Sequence, residues 1–422
     1  MLDSIAPIIA VIYFLFFIKN NRVNTPFVGL IFLSYLFFAT NYTHYGLEVD
    51  IYRYLHRAIG VLIVILLGVH IVKNKVKIYK DPVAIVLTTF FIVLLISAIR
   101  NELHWEHYIH YVRNFVFVAC IVMYLYLMLD SQEKLNELYR LIVGLTVVLA
   151  FLVFVEVLQS GWSRVQLFYS NPNYLGYAML PGFVISVFVN LKHRWLYAIL
   201  ILFAIFATGS NSAEIGAVFA LFLLIIKNVK RINKVHIIIG IILSVLLISN
   251  FDRIVLNKDI NSTRIVLSMI AINAFQENPV NGIGYGQFRT SFINYIGDSV
   301  KNINNHEIND SILSYQEELS DNYLQSMGIV RKMEKMTHSD LMTIVSELGL
   351  FGILFIFWVF YQLYFLLKRI KLDHSKEYFL SIGLLGASLI FSLFHNNLTS
   401  FVFWFVLLLP LIINRNINKP ES

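Results

Sequence analysis

Apolar runs of similar length recur along almost the whole chain, and they decide what it can fold into. Crossing a bilayer as a helix takes roughly 20 predominantly apolar residues. Thirteen runs approach that length, at about 3–18, 27–41, 58–72, 83–99, 112–129, 140–158, 174–190, 195–208, 212–226, 236–250, 341–367, 377–394 and 399–413. None alternates apolar and polar residues as a barrel strand does. A helix satisfies its own backbone groups in lipid, so helices are the expected spans. Only 14% of the residues are charged, 58% are hydrophobic and the mean hydropathy is +0.70, well outside the range of water-soluble domains. The expected fold class is therefore an all-α polytopic membrane protein of about 13 (12–14) transmembrane helices, with one large extracytoplasmic loop containing amphipathic helices.

The net charge of +7 does not point to a nucleic acid. Most of the 33 lysines and arginines sit in short clusters in every second loop: Lys19 and Arg22; Lys73, Lys75, Lys77 and Lys80; Lys134 and Arg140; Lys192 and Arg194; Lys227, Lys230, Arg231 and Lys234; Lys368, Arg369, Lys371 and Lys376; Arg415 and Lys419. That is the pattern of cytoplasmic loops. It places the N-terminus outside, the C-terminus inside and the long segment from about 251 to 340 outside; if the first run only lies in the interface, the count drops to twelve, the N-terminus moves inside and the other assignments stand. The first run has no preceding Lys or Arg and no small-residue cleavage site, so it reads as a span and not a removed signal peptide. Cys120 stands alone, which excludes an intramolecular disulfide. The expected organisation is an N-terminal transmembrane bundle over 1–250, an extracytoplasmic loop over 251–340 and C-terminal transmembrane helices over 341–422. No internal repeat of the kind common among secondary transporters is visible.

Within the long loop, Ser262 to Phe275 is apolar at helical spacing and carries Arg264, so it reads as an amphipathic helix lying on the membrane. Asn278-Pro279 ends it, and Gly282, Gly284 and Gly286 form a tight turn that presents Tyr285 and Arg289. This turn follows a helix and not a strand, which excludes a nucleotide-binding reading. A second polar helix is expected within Asn309 to Lys335. The loop ends at His338, directly before an apolar run that carries Glu347, Gly349 and Gly352. The two glycines allow close approach of another helix or a lipid chain. A carboxylate inside a span is functional by default.

The outer span ends are rich in arginine: Arg53, Arg57, Arg100, Arg113, Arg164, Arg264 and Arg289. Guanidinium forks suit phosphate, although each of these side chains has the alternative of snorkelling or pairing with a nearby carboxylate. His104, His107 and His110 fall at a spacing that a helix brings near one face, which suits zinc, but interleaved Trp105, Tyr108 and Tyr111 read equally as an interfacial aromatic segment. No Asp-x-Asp pair appears in the outer loops, and no metal or other cofactor is expected. An unperturbed imidazole titrates near neutrality, so His338 suits a general base, with Ser339 or Asp340 capping the following helix.

These motifs resemble the O-antigen ligase and Wzy polymerase superfamily of bacterial membrane glycosyltransferases. The chain has its signature of His338-Ser339, nine residues, then Gly349-Leu-Phe-Gly352. It has the upstream pattern of Arg264, Asn278-Pro279 and the Gly282 to Phe288 turn. It also has Asn171-Pro172-Asn173 before a span. One departure is clear. Where the family commonly has Thr-Gly-Ser-Arg, this chain has Thr208-Gly209-Ser210-Asn211, so an expected phosphate-binding arginine is missing and Arg100, Arg113 or Arg289 must substitute, or the phosphate contacts differ.

The resemblance implies transfer of a glycan from an undecaprenyl-diphosphate-linked donor to a sugar hydroxyl, outside the bacterial inner membrane, with inversion and without a metal. His338 and Arg264 are the implied catalytic residues. Arg289, Arg100, Arg113, Arg53, Arg57, Tyr285, Asn173 and Glu347 are the candidates for substrate binding. The expected partners are the lipid-linked donor and acceptor oligosaccharides, membrane lipid and a chain-length regulator, with no nucleic acid. A polymerase is preferred over an O-antigen ligase, since that group is the more divergent. A flippase or transporter would need polar residues deep in the bundle, whereas this chain concentrates them at one face.

Overall fold

The computed structural model describes residues 2–21, 26–37, 50–99, 103, 105–161, 164–169, 171–228, 258–295, 339–396, 398 and 400–417. Among these residues the chain is helical throughout, with no strands. Nine described α-helices precede the long loop: α1 (Leu2–Asn21), α2 (Pro26–Phe37), α3 (Asp50–Asn74), α4 (Pro82–Ser97), α5 (Trp105–Met128), α6 (Gln132–Ser160), α7 (Pro172–Phe188), α8 (Arg194–Thr208) and α9 (Asn211–Lys227). Helix α10 (Lys258–Glu277) lies within the loop. After it come a turn at Asp340–Thr343, a π-helical turn at Ile344–Leu348, and α11 (Gly349–Asp373), α12 (Ser375–Phe394) and α13 (Phe401–Ile417).

Local sequence sets the helix starts. Asp81, Ser131, Asn171, Ser210 and Ser339 each cap a helix by accepting a backbone N–H two or three residues on, from Val83, Lys134, Asn173, Ala213 and Met342 respectively. Pro82 and Pro172 occupy the first helical position, where a missing N–H costs nothing.

Among the described residues five segments are long and apolar enough to cross a membrane: Tyr54–Asn74, Tyr108–Met128, Gln132–Ser160, Asp340–Ile370 and Ser375–Phe394. Other apolar helices, such as Pro26–Phe37 and Pro82–Ser97, are shorter. Twelve of the thirteen expected runs fall on helices, and the run at 236–250 lies outside the described residues. The second loop helix expected within Asn309 to Lys335 also lies outside them. Helix α7 is apolar on every side and is buried accordingly, among α6, α8, α9 and α12.

The helices run so that alternate connections meet at opposite ends. At one end Tyr126, Leu129 and Arg415 come together. The Arg415 guanidinium lies 4.0 Å from the Tyr126 ring centroid and donates to the Leu129 carbonyl at 2.6 Å. The other end gathers the α4–α5 connection, the starts of α7 and α9, the α12–α13 connection and the glycine turn of the long loop. Of the polar residues singled out in the sequence, Glu347, Tyr285 and Asn173 lie at that second end.

Candidate active site

At Gly349 the helical ladder of the long C-terminal span is opened and the glycine turn is spliced into it. In an unbroken α-helix the N–H groups of Leu350 and Phe351 would bond the carbonyls of Ser346 and Glu347. Here Leu350 N–H donates to the Pro279 carbonyl at 2.8 Å and Phe351 N–H to that of Val280 at 3.4 Å. The freed carbonyls accept from the turn instead, Ser346 from Ile283 N–H at 2.9 Å and Glu347 from Gly284 N–H at 3.1 Å. Two intrahelical bonds are replaced by four bonds between segments far apart in sequence. The close partner of Gly349 is therefore the loop, and not the second helix or lipid chain expected there.

The side chain of Glu347 completes this joint. It is buried, and its two oxygens accept from Gly286 N–H at 2.9 Å and Phe288 N–H at 3.0 Å. A buried carboxylate is tolerated when it receives charge-assisted hydrogen bonds of this kind. Phe288, 1% exposed, then packs with Ile283 against Leu267, Ile270, Ala271 and Ala274 of α10, with Met342 alongside. From Leu267 to Ala274, α10 is thus covered on this side by protein, where the sequence suggested a helix lying on the membrane.

Tyr285 enters the bundle and is not presented at the surface. It is 1% exposed and packs edge-on against Tyr111 (centroids 5.6 Å apart) and Phe90 (6.3 Å), while its N–H donates to Ser97 Oγ at 3.3 Å. Burial, with the nearby Glu347 carboxylate, pushes its phenol well above the usual tyrosine range. Asn281 Nδ2 donates to the Ile99 carbonyl, a second tie from the turn to the α4–α5 connection.

Beside this joint the two other sequence motifs pack on each other. Thr208 ends α8, Gly209 takes a left-handed conformation (φ 58°) and Ser210 caps α9. Asn171 caps α7, and a Cβ on Gly176 of α7 would lie only 3.0 Å from Thr208 Oγ1. Arg164 bridges the pair: its Nη2 donates to Asn173 Oδ1 at 2.7 Å and its Nε to the Thr208 carbonyl at 3.3 Å. The two groups are linked in turn. Tyr174 OH donates to the Asn396 carbonyl at 3.4 Å, and Leu398 N–H donates to Asp340 Oδ1 at 3.0 Å. His395 is buried and stacks on Phe391, with ring centroids 4.4 Å apart.

Of the residues selected from sequence, Glu347 and Tyr285 are brought into one joint, and Asn173 is placed beside it by Arg164. Arg264 lies on α10, Arg289 in the short helical turn Phe288–Ser291 and Arg53 on α3. Arg57 is exposed on α3. Arg113 is exposed on α5, where its Nη2 meets His110 Nδ1 at 2.9 Å. His338, Arg100 and His104 lie outside the described residues. In the sequence Arg164 stands only as one of the outer arginines, and Ser97 belongs to no motif. Their contacts span 188 and 44 residues of chain, for Ser97 with Tyr285 and for Arg164 with Thr208, a separation without any local signal.

All-helical among its described residues, this is an integral membrane protein with a loop of its own joined into a span at one end of the bundle. Residues 196–357, which contain α10, the glycine turn, Glu347 and Gly349, match the family model described as O-antigen ligase. That match, over less than half of the chain, supports membership of the O-antigen ligase and Wzy superfamily and a transferase of that general type. No curated protein gives a significant match to the chain.

Proposed function

We propose that this protein is a Wzy-like polysaccharide polymerase. It transfers an O-antigen or capsular glycan from an undecaprenyl-diphosphate-linked donor to a sugar hydroxyl of a lipid-linked acceptor, on the periplasmic or exterior face of the bacterial inner membrane. The glycosyl carbon–oxygen bond to the diphosphate breaks, the acceptor oxygen bonds the same carbon from the opposite side, and the hydroxyl proton passes to a base. Arg264 and Arg289, with one or more of Arg53, Arg57, Arg100 and Arg113, bind the diphosphate and stabilise the charge it gains as it leaves. His338 takes the proton or orients the hydroxyl that bears it. Confinement of donor and acceptor to the membrane reduces the entropic cost of their encounter.

The observation that supports this reading most is the splice at Gly349. It joins the turn leading into Arg289 and, through Phe288, the helix bearing Arg264 to the segment that starts one residue after His338. The test is reconstitution in vesicles with a lipid-linked repeat unit and no ion gradient or nucleotide. Lengthening of the lipid-linked glycan that is lost in His338→Ala and Arg264→Ala supports the reading; lengthening retained in both sinks it.

The description of the matched family favours a second reading, an O-antigen ligase that attaches the glycan to lipid A core. The two share the donor and differ in acceptor, so supplying each acceptor separately to the same vesicles distinguishes them.

A further inference from the structure

We propose that Glu347 is a positioning residue: by filling the anion-binding concavity of the glycine turn with its own carboxylate, it sets the register between the segments that carry Arg264, Arg289 and His338. This inference rests on the transferase reading above and assigns to Glu347 a role other than touching substrate.

Gly284 and Gly286 have φ of 100° and 79°. Turns built from such residues aim neighbouring N–H groups into one concavity that attracts an anion. In a protein proposed to bind a diphosphate, this turn is the obvious cradle for it. The geometry gives the concavity a different occupant. The N–H groups of Gly286 and Phe288 are held at 2.9 and 3.0 Å by the two oxygens of one buried glutamate. The diphosphate must then be bound by side chains, and the turn serves to fix where those side chains start.

Three connections run through that carboxylate. Phe288, whose N–H it holds, is followed directly by Arg289. The Phe288 ring is packed into the apolar face of α10, the helix bearing Arg264. The carboxylate itself belongs to the π-helical turn that begins five residues after Ser339, the neighbour of His338. A π-helical turn often marks a functional position, because it re-aims a side chain that a regular helix would direct elsewhere. Here the re-aimed group is Glu347.

The test uses the full chain in nanodiscs. Glu347→Gln offers one acceptor oxygen to two donors. Amide hydrogen exchange over 279–288 should accelerate by about tenfold or more, and kcat should fall by about tenfold or more with the donor KM changed less than about threefold, as expected when reacting groups are misaligned but still bind. A second protein combines Glu347→Gln with Val280→Cys and Phe351→Cys, positions whose backbones are already hydrogen-bonded. Its disulfide holds the turn on the span without the carboxylate, and should return most of the lost kcat on oxidation. Unchanged exchange in Glu347→Gln overturns the proposal. So does a cross-linked protein that shows wild-type exchange and remains inactive, because Glu347 would then act on substrate. Should His338→Ala retain full activity while Glu347→Gln still loosens the turn and lowers kcat, the assignment of the base fails and the positioning role stands.

Discussion

Gly282 and Gly349 meet backbone to backbone. A Cβ on Gly349 would lie 2.5 Å from the Gly282 nitrogen and 2.8 Å from the Val280 carbonyl oxygen, and both glycines hold positive φ, 69° and 60°. The contact explains why the first glycine of the Gly-x-x-Gly motif is needed for the splice. No side chain fits between the two strands of backbone.

Gly349→Ala is therefore expected to cost about 1–3 kcal/mol from backbone strain, and more from the collision. Gly161→Ala is the control. Its φ is also positive, 75°, but nothing lies within 4 Å of an added Cβ. Thermal unfolding in detergent should show the larger loss for Gly349→Ala; equal losses would mean that the loop does not dock there.

Tyr285→Phe should be neutral or stabilising by about 1 kcal/mol. The phenolic oxygen is buried with no hydrogen-bond partner among the described residues, so its removal relieves an unsatisfied polar group. A pH dependence follows with a definite sign. The folded-state pKa is raised by burial, so stability is insensitive to this phenol below the unfolded value of about 10 and falls as pH rises from there towards the folded value. Alkaline unfolding curves of Tyr285→Phe should fall off less steeply above that pH. A large loss of transfer activity in this variant would contradict its buried, non-contacting placement.

Arg164 and Asn173 should be energetically coupled. Their 2.7 Å hydrogen bond joins the connection before α7 to its first turn, and Arg164 also holds the end of α8. A double-mutant cycle of Arg164→Ala and Asn173→Ala is expected to give a coupling of about 0.5–1.5 kcal/mol. Additive losses would show that the two side chains do not meet in the membrane-embedded protein.

Kinetics separate the proposed roles. His338→Ala should lower kcat by about 10²–10⁴, the usual range for a lost general base, with little change in donor KM. Arg264→Lys keeps the charge but loses the planar fork, and should raise the donor KM as well as lower kcat. If both variants change only KM, the chemistry lies elsewhere.

Much of the scaffold was legible because its signal is local. Apolar runs near the length of a bilayer, with short polar caps such as Asn171 and Ser210 between them, mark helices in one pass along the chain. The site was only half legible. His338-Ser339, Gly349 and the glycine turn stand out as motifs, but the sequence carries no sign that the turn enters the span 61 residues later through Glu347. Tyr285 misled for the same reason: an aromatic residue between glycines reads as an exposed loop tip until the partner that buries it is known. The amphipathic α10 likewise has an apolar face that suits lipid and protein equally well, and only its contacts with Ile283, Phe288 and Met342 decide between them.

The splice at Gly349 also has a mechanical side. The turn is bonded to a segment, Asp340–Ile370, that is apolar enough to span the membrane and carries Lys368 and Arg369 near its far end. Such a span settles at a depth and tilt set by the thickness of the hydrocarbon layer and by its basic anchors. The turn has no independent height: thinning or thickening of the bilayer that shifts the span carries the turn, and the helix packed on it, by the same distance. The height of the glycine turn relative to the lipid headgroups thus follows this span and the α4–α5 connection to which Asn281 and Tyr285 also tie it.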